Sequence, residues 1–286
     1  MTMAPAAATD ARSQLAPLRR YWHPVEDSAA VGNRPTAVTL LEEDLVLFRS
    51  QGRVHALADS RPKACVDPYR AEDRYGLVWV ALEDPVADIA PFPEYTDSSY
   101  RSYLSVTSSW NASAGRFTEN GLDITHFAWV HPGALGDRDD AECPAIDIHV
   151  TSYGFEYAYS RESLESPFAT GGQTIHSRTM HHLPFTRRRI LTSDAGHSVQ
   201  YVTASPTRAR QCKIWMIESR NHHVTDPIEP YIDFSRELLE QDRQIVESQR
   251  PEMLPIDLTT ELHLRGPDQV ALTYRRLLAD AGVADV

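Results

Sequence analysis

Cysteine is scarce in this chain: 286 residues hold three, Cys65, Cys143 and Cys212, each far from the others. An odd, sparse set makes no disulfide framework, and the thiols are expected to be reduced. Long apolar runs are lacking as well. "GLVWVAL" is among the longest, well short of the roughly 20 residues that cross a bilayer. Positive charge is in deficit, with 28 Lys and Arg against 40 Asp and Glu and a net charge of -12. That balance excludes the basic face that nucleic acid or an anionic membrane surface requires. No Gly-rich nucleotide loop occurs, because "ATGGQ" reads as a turn. No base lies near Cys65 or Cys212 in sequence, so nucleophilic catalysis by a thiol is not supported. The opening "MTMAPAAATDARSQLAPLRR" lacks a continuous apolar stretch. Residues 1–20 therefore read as a disordered, cytoplasmic N-terminus rather than a signal peptide.

What is present is a chain able to bury a sizeable core, at 42% hydrophobic residues. "RPTAVTLLEEDLVLFRSQGRVHALAD" alternates apolar and polar residues about a turn at "SQGR" and predicts two or three antiparallel strands. "YGLVWVALEDP" predicts a buried strand, and "SRPKACVDPYRAEDR" between them reads as loop. The prolines of "PFPEY" mark a junction, dividing a first block over 21–90 from a second over 91–286. In the second block, strands are expected at "YRSYLSVTSSW", "IDIHVTSYGFEYAYS", "TIHSRTMHHLPF", "RRRILTSD", "SVQYVTASPT" and "QCKIWMIESRN". Helices are expected from about Phe234 to Gln249 and over "DQVALTYRRLLADAG". The class is α+β, built on a multi-stranded antiparallel sheet. The run "FTRRRI" reads as a solvated strand edge, and His181 and His182 on one strand point to opposite faces.

The stretch from Glu119 to His131, "ENGLDITHFAWVH", carries the chemistry. Asp123 and His126 share a helical face, so the carboxylate can hydrogen-bond the imidazole, the arrangement that fixes a metal-binding tautomer. His126 and His131 are five apart and diverge on a regular helix, but Pro132 forces the helix to end at His131 and can swing its ring back. The plain alternative is a pair of satisfied polar histidines, with Phe127 and Trp129 as cavity walls. "DFSRELLEQDRQIVESQ" tips the balance. Phe234, Leu238, Ile245 and Val246 define an apolar stripe with Asp242 in its middle. A carboxylate there is costly unless paired or bound to a cation. A salt bridge to a core Arg would serve. Taken with the two histidines, it matches a 2-His-1-carboxylate site.

At these residues the chain resembles the Rieske-type non-haem iron (aromatic-ring-hydroxylating) oxygenases. "ENGLDITHFAWVH" is similar to that family's catalytic signature, and "EQDRQIVESQ" resembles the late helix that donates its third ligand. "YWHPV", "LPFTRRRI" and "LRGPDQVALTYRRLL" follow in family order, so the likeness spans most of the chain. The resemblance implies His126, His131 and Asp242 as Fe(II) ligands, and Asp123 as the carboxylate that bonds a ligand histidine and bridges to a neighbouring subunit. It places Asn120 near the iron. It also implies a homotrimer, and a Rieske-like β domain over 21–90 followed by a helix-grip (START/Bet v 1-like) catalytic domain over 91–286.

One element of the pattern is missing. A Rieske cluster requires C-x-H and C-x-x-H loops, and none of the three cysteines is followed by His two or three residues later. No [2Fe-2S] cluster is therefore expected, and the β domain reads as truncated. The function expected is an Fe(II)-dependent oxygenase or oxidase acting with O2 on a small aromatic or apolar molecule. Its electrons come from the substrate or from a separate iron–sulfur or reductase protein. A redox-neutral hydrolase, lyase or isomerase on the same triad is the alternative.

Overall fold

The computed structural model describes residues 11–59 and 68–286. The first block forms two three-stranded antiparallel sheets. Strands β2 (Thr36–Leu40), β3 (Glu43–Ser50) and β4 (Arg53–Ala58) make one; β1 (His23–Asp27), β5 (Arg70–Arg74) and β6 (Leu77–Ala81) make the other, in the order β1-β6-β5. The turn expected at "SQGR" joins β3 to β4, with positive φ at Gln51 and Gly52. The region read as loop is corrected in part. Residues 60–67, with Cys65, lie outside the described residues, but Arg70–Arg74 pair with β6 across a two-residue turn. Tyr75 and Gly76 there have φ of 56° and 74°, the hairpin geometry that matches strand twist. The charged side chains of β5 hid the strand, yet they are ion-paired: Arg74 bonds Glu72 and Asp88.

The expectation of a disordered stretch over 1–20 fails for 11–20; residues 1–10 lie outside the described residues. Helix α1 (Ala11–Leu15) and a 3-10 turn (Ala16–Arg20) bury Leu15 and Leu18, and Arg19 ion-pairs with Glu43 and Glu83. Two leucines spaced for one face give enough apolar contact to order a segment whose composition alone reads as tail.

The second block is one seven-stranded antiparallel sheet in the order β7-β13-β12-β11-β10-β9-β8. Its strands are β7 (Arg101–Trp110), β8 (Asp147–Thr151), β9 (Gly154–Glu162), β10 (Thr174–His182), β11 (Thr186–Ser193), β12 (Gly196–Arg208) and β13 (Gln211–Arg220). Trp215 and Ile217 pack with Val199, Tyr201, Trp79 and Phe92 on one face. The first block is tied there: the Trp215 Nε1–H donates to Pro24 O at 3.1 Å, and the Tyr201 hydroxyl to Ala90 O at 3.0 Å. Helices α2 (Ala114–Leu122), α3 (Phe127–Val130), α4 (Glu229–Val246) and α5 (Gln269–Asp280) complete the second block. Ser113 caps α2, its Oγ accepting from Arg116 N at 3.2 Å. Among the described residues no helix is long and apolar enough to cross a membrane.

Two features hold α2 in place. Arg275 of α5, almost wholly buried, grips both Glu119 carboxylate oxygens at 2.7 Å and also bonds Glu261, which in turn holds Arg116. Gly115 faces the backbone of Val286, where a Cβ would lie 2.4 Å from the carbonyl oxygen. The first residue of the histidine stretch is thus a structural anchor.

Candidate metal centre

The histidine stretch is not one helix. Chain α2 ends at Leu122, and Asp123 is extended (ψ 136°). Its Oδ1 accepts from both the backbone N and the hydroxyl of Thr125, each at 2.7 Å, which closes a turn. Asp123 Oδ2 lies 3.2 Å from His126 Nδ1. The contact expected from helical spacing therefore forms across a turn instead. Burial alone would raise the Asp123 carboxyl, but the bonds from His126 and Thr125 outweigh it and hold its pKa below the usual carboxylate range.

His126 opens α3 and His131 closes it, leaving the helical region just before Pro132. The short helix and its distorted end bring the rings to 5.3 Å between centroids. His131 is 1% exposed, and its Nδ1 lies 2.7 Å from Gln241 Oε1. Asp242 follows on α4, with Oδ1 3.0 Å from His131 Nε2 and 3.4 Å from His126 Nε2. Ligand atoms of His126, His131 and Asp242 all lie within 4.8 Å of one another.

The hydrogen bonding makes this cluster unstable as three bare acceptors. Asp123 and Gln241 each accept an Nδ1–H, which leaves both Nε2 atoms as lone pairs aimed at a carboxylate. The His126 Nε2 and Asp242 Oδ1 atoms are buried with no well-formed hydrogen bond. Only a cation between them, or a proton, relieves that repulsion. Burial pulls the His131 pKa down, but Asp242 and Gln241 more than offset it and leave it raised. Two imidazoles and a carboxylate suit a divalent transition metal, and the Nδ1 contacts with Asp123 and Gln241 favour the tautomer that ligates through Nε2.

The cavity beside these residues is bounded by Phe127, Tyr159, Ile175, Leu191, Met216 and Leu238, with Asp242 at one wall. The buried stripe expected on α4 needs correction. Tyr231, Ser235, Leu239 and Val246 pack inward, Phe234, Leu238 and Asp242 line the cavity, and Ile245 is exposed. Trp129 is no cavity wall either; it is 59% exposed beneath Arg138, whereas Phe127 does line the space. Asn120 sits on α2 outside the cavity lining. Neither His181 nor His182 reaches the cavity: His181 is buried against Phe155 and Tyr274, and His182 stacks on Tyr153.

Sequence reasoning missed Gln241, because nothing in "EQDRQ" separates it from an ordinary helix-surface amide. It also misread "FTRRRI". That run lies on β11, the central strand of seven, and strand alternation sends Arg187 and Arg189 into the cavity while Arg188 pairs with Glu94 on the other face.

Comparison with known proteins agrees with this picture. A family model described as the vanillate O-demethylase oxygenase C-terminal domain matches residues 110–284. Methylxanthine N3-demethylase NdmB of Pseudomonas putida is 24% identical, over 91% of this chain and 88% of that protein. Probable methylxanthine N7-demethylase NdmC of Pseudomonas sp. (strain TJI-51) is 27% identical, over 92% of this chain and 94% of that protein. The solved structure of Pseudomonas putida CBB5 NdmA with caffeine shares the fold, with a TM-score of 0.80 at 23% identity, covering 93% of this chain and 91% of that one. The matched domain contains the whole histidine stretch and the α4 carboxylate, and on that ground the chain belongs to the vanillate O-demethylase oxygenase family of Rieske-type non-haem iron oxidoreductases.

Proposed function

We propose that the protein is an Fe(II)-dependent oxygenase that demethylates a small methylated aromatic molecule, with electrons delivered by a separate redox protein. The observation that carries this reading is the convergence of His126 Nε2, His131 Nε2 and Asp242 Oδ1, with His126 Nε2 and Asp242 Oδ1 buried and unpartnered. The demethylase activities printed for the relatives supply the reaction class. Iron held by these three side chains would supply the binding and activation of O2.

The chain's own residues do the rest. Asp123 accepts from Nδ1 of His126 and Gln241 from Nδ1 of His131, which in the neutral ring turns each Nε2 lone pair toward the metal position. Phe127, Leu191, Met216 and Leu238 give an aromatic ring an apolar bed and keep water from the site. Demethylation by O2 consumes two electrons and two protons and releases formaldehyde and water.

Those electrons must come from outside the chain if it lacks a Rieske cluster, and the cysteine chemistry supports that lack. Cys212 is buried in β13, where burial pushes its thiol pKa well up and disfavours a thiolate ligand. Cys143 is accompanied by no second cysteine in sequence. A truncated Rieske-like β domain over 21–90, a catalytic domain over 91–286 and a homotrimer are further parts of this proposal.

The test is O2 uptake with matched formaldehyde release from N- and O-methylated aromatic substrates. It is run with the protein alone and then with a reduced iron–sulfur protein and its reductase. Coupled turnover only in the second case is expected. Turnover without O2 would overturn the oxygenase reading, and turnover with a cluster-free reductant as the sole addition would overturn the redox-partner reading.

A further inference from the structure

The cavity beside the metal centre measures about 110 Å3, below the roughly 150 Å3 that houses a benzene ring. An aromatic molecule therefore reaches His126, His131 and Asp242 only when one wall gives way. Two chambers adjoin this space. An acidic one of about 420 Å3, with Asp137, Asp140 and Glu142, lies beyond Phe127 and Leu135. An outer one of about 260 Å3, edged by His222, His223 and Tyr231, shares Ser166, Phe168, Ala169 and Ser193 with the inner cavity.

The two partitions differ in what holds them. Toward the acidic chamber, Arg161 donates to Leu135 O at 2.7 Å, and the backbone N–H groups of Ala134 and Leu135 donate to His131 O at 3.1 and 3.0 Å. Opening that side pulls on the segment that carries a metal-binding histidine. Toward the outer chamber, the partition is the connection between β9 and β10, residues 163–173, and it closes on itself. Ser163 N donates to Gln173 O at 2.8 Å and Gly172 N to Ser163 O at 2.9 Å, while Ser166 and Ala169 exchange backbone bonds at 3.0 and 3.3 Å. The buried Ser163 hydroxyl donates to Thr170 O at 2.6 Å, and Gly171 N to the Glu165 carboxylate at 2.8 Å. Among the described residues no hydrogen bond joins 164–172 to α4. The flap meets that helix through Phe168, a half-buried side chain whose ring centre lies 5.1 Å from that of Tyr231 and 6.0 Å from that of Phe234.

Tyr231 is the fixed side of the aperture. It is 5% exposed, and the Arg220 guanidinium, 4.0 Å from its ring centre, is itself bound to His223 O and Asp226 O at 3.0 Å each. A swing of Phe168, alone or with its flap, thus joins the inner and outer spaces without breaking a hydrogen bond to α4. We infer that the substrate reaches the metal centre from the outer chamber, and that Phe168 is the gate that decides which rings pass and how fast. The inference rests on the aromatic-substrate reading above and adds its route. When shut, the same ring completes the apolar wall that keeps water from the site.

The test is anaerobic stopped-flow association of 2-methoxynaphthalene and 7-methoxycoumarin with the Fe(II)-loaded full chain, read by probe fluorescence. Phe168→Ala is expected to raise kon tenfold or more. Phe168→Leu should raise it less, and gives the same comparison should the alanine variant fail to fold. Ala195→Trp, at an exposed position lining the outer chamber, should lower kon at least fivefold. Ala141→Trp, at an exposed position lining the acidic chamber, should leave it within twofold. The inference is overturned if neither probe binds the wild type, or if the Phe168 variants raise koff alone, which marks a wall contact. It is overturned equally if Ala141→Trp slows entry and Ala195→Trp does not. Formaldehyde release is measured on the same samples with the redox partner added. Gated binding without formaldehyde sinks only the demethylase reading; formaldehyde release with kon indifferent to Phe168 sinks only the gate.

Discussion

Replacing Asp123 with Asn changes one atom of the metal centre's outer support and isolates its role. In the wild type, Asp123 Oδ1 accepts two bonds from Thr125 and Oδ2 faces His126 Nδ1 at 3.2 Å. The amide of Asp123→Asn keeps its oxygen on Thr125, where two donors require an acceptor, and so turns its NH2 toward His126. Nδ1 must then accept, and the imidazole proton moves to Nε2, the atom that points at Asp242. Loss of such an orienting carboxylate typically costs a factor of about 10–100 in metal affinity, or about 1.4–2.7 kcal/mol. The Thr125 turn survives, so the melting temperature in the absence of metal should barely move. Anaerobic titration of Fe(II) against a chromogenic chelator measures the affinity. An Asp123→Asn protein that binds Fe(II) within twofold of wild type would refute the reasoning, because His126 would then need no fixed tautomer.

Two further outcomes concern stability. Arg275→Met removes the donors to both Glu119 carboxylate oxygens beneath α2 and should destabilise the fold by about 3–5 kcal/mol; urea unfolding monitored by circular dichroism checks this, and a loss below about 1 kcal/mol would show the network to be idle. Glu218 is 1% exposed under α4, where its Oε1 accepts from the Ser235 hydroxyl at 2.5 Å. Burial raises its pKa from 4.5 to about 7, against the opposing pull of Ser235 and Arg220. Between these two values the folded chain keeps a proton that the unfolded chain has released, so stability falls as pH rises from 4.5 to 7 and then levels. The span of 7 minus 4.5 corresponds to roughly 3 kcal/mol at most. Glu218→Gln should flatten that part of the stability–pH curve and be more stable than wild type at pH 8 relative to pH 5; an unchanged slope would contradict the assignment.

Much of the fold was legible, because the strands of the second block carry strong alternation and the two long helices carry clear periodicity. The first failures are local. Ordered residues 11–20 depend on Leu15 and Leu18 finding a distant core, and β5 is written almost wholly in charges that pair within the strand or with Arg49, Asp84 and Asp88. Neither signal is local to the segment. At the site, His126, His131 and Asp242 were recognisable by type and spacing, although the path between the histidines was not: a turn at Asp123 and a four-residue helix do what one continuous helix could not. Asn120 lies on α2 beside Gly121, which lines the cavity, and is not itself among the lining residues. Gln241 is indistinguishable from a surface amide until the register of α4 is known. The arginines had a readable signal in strand parity, because residues 187 and 189 must share a face; what hid them was the habit of assigning basic runs to solvent.

The central claim is that one divalent iron sits between His126, His131 and Asp242. Anomalous diffraction at the iron edge, from crystals grown anaerobically with ferrous salt, tests it most directly. A single peak bounded by the two Nε2 atoms and the Asp242 carboxylate in the wild type, absent in Asp242→Ala, is the result expected. Crystals that diffract well yet show no peak there, with the three side chains turned away from one another, would contradict it.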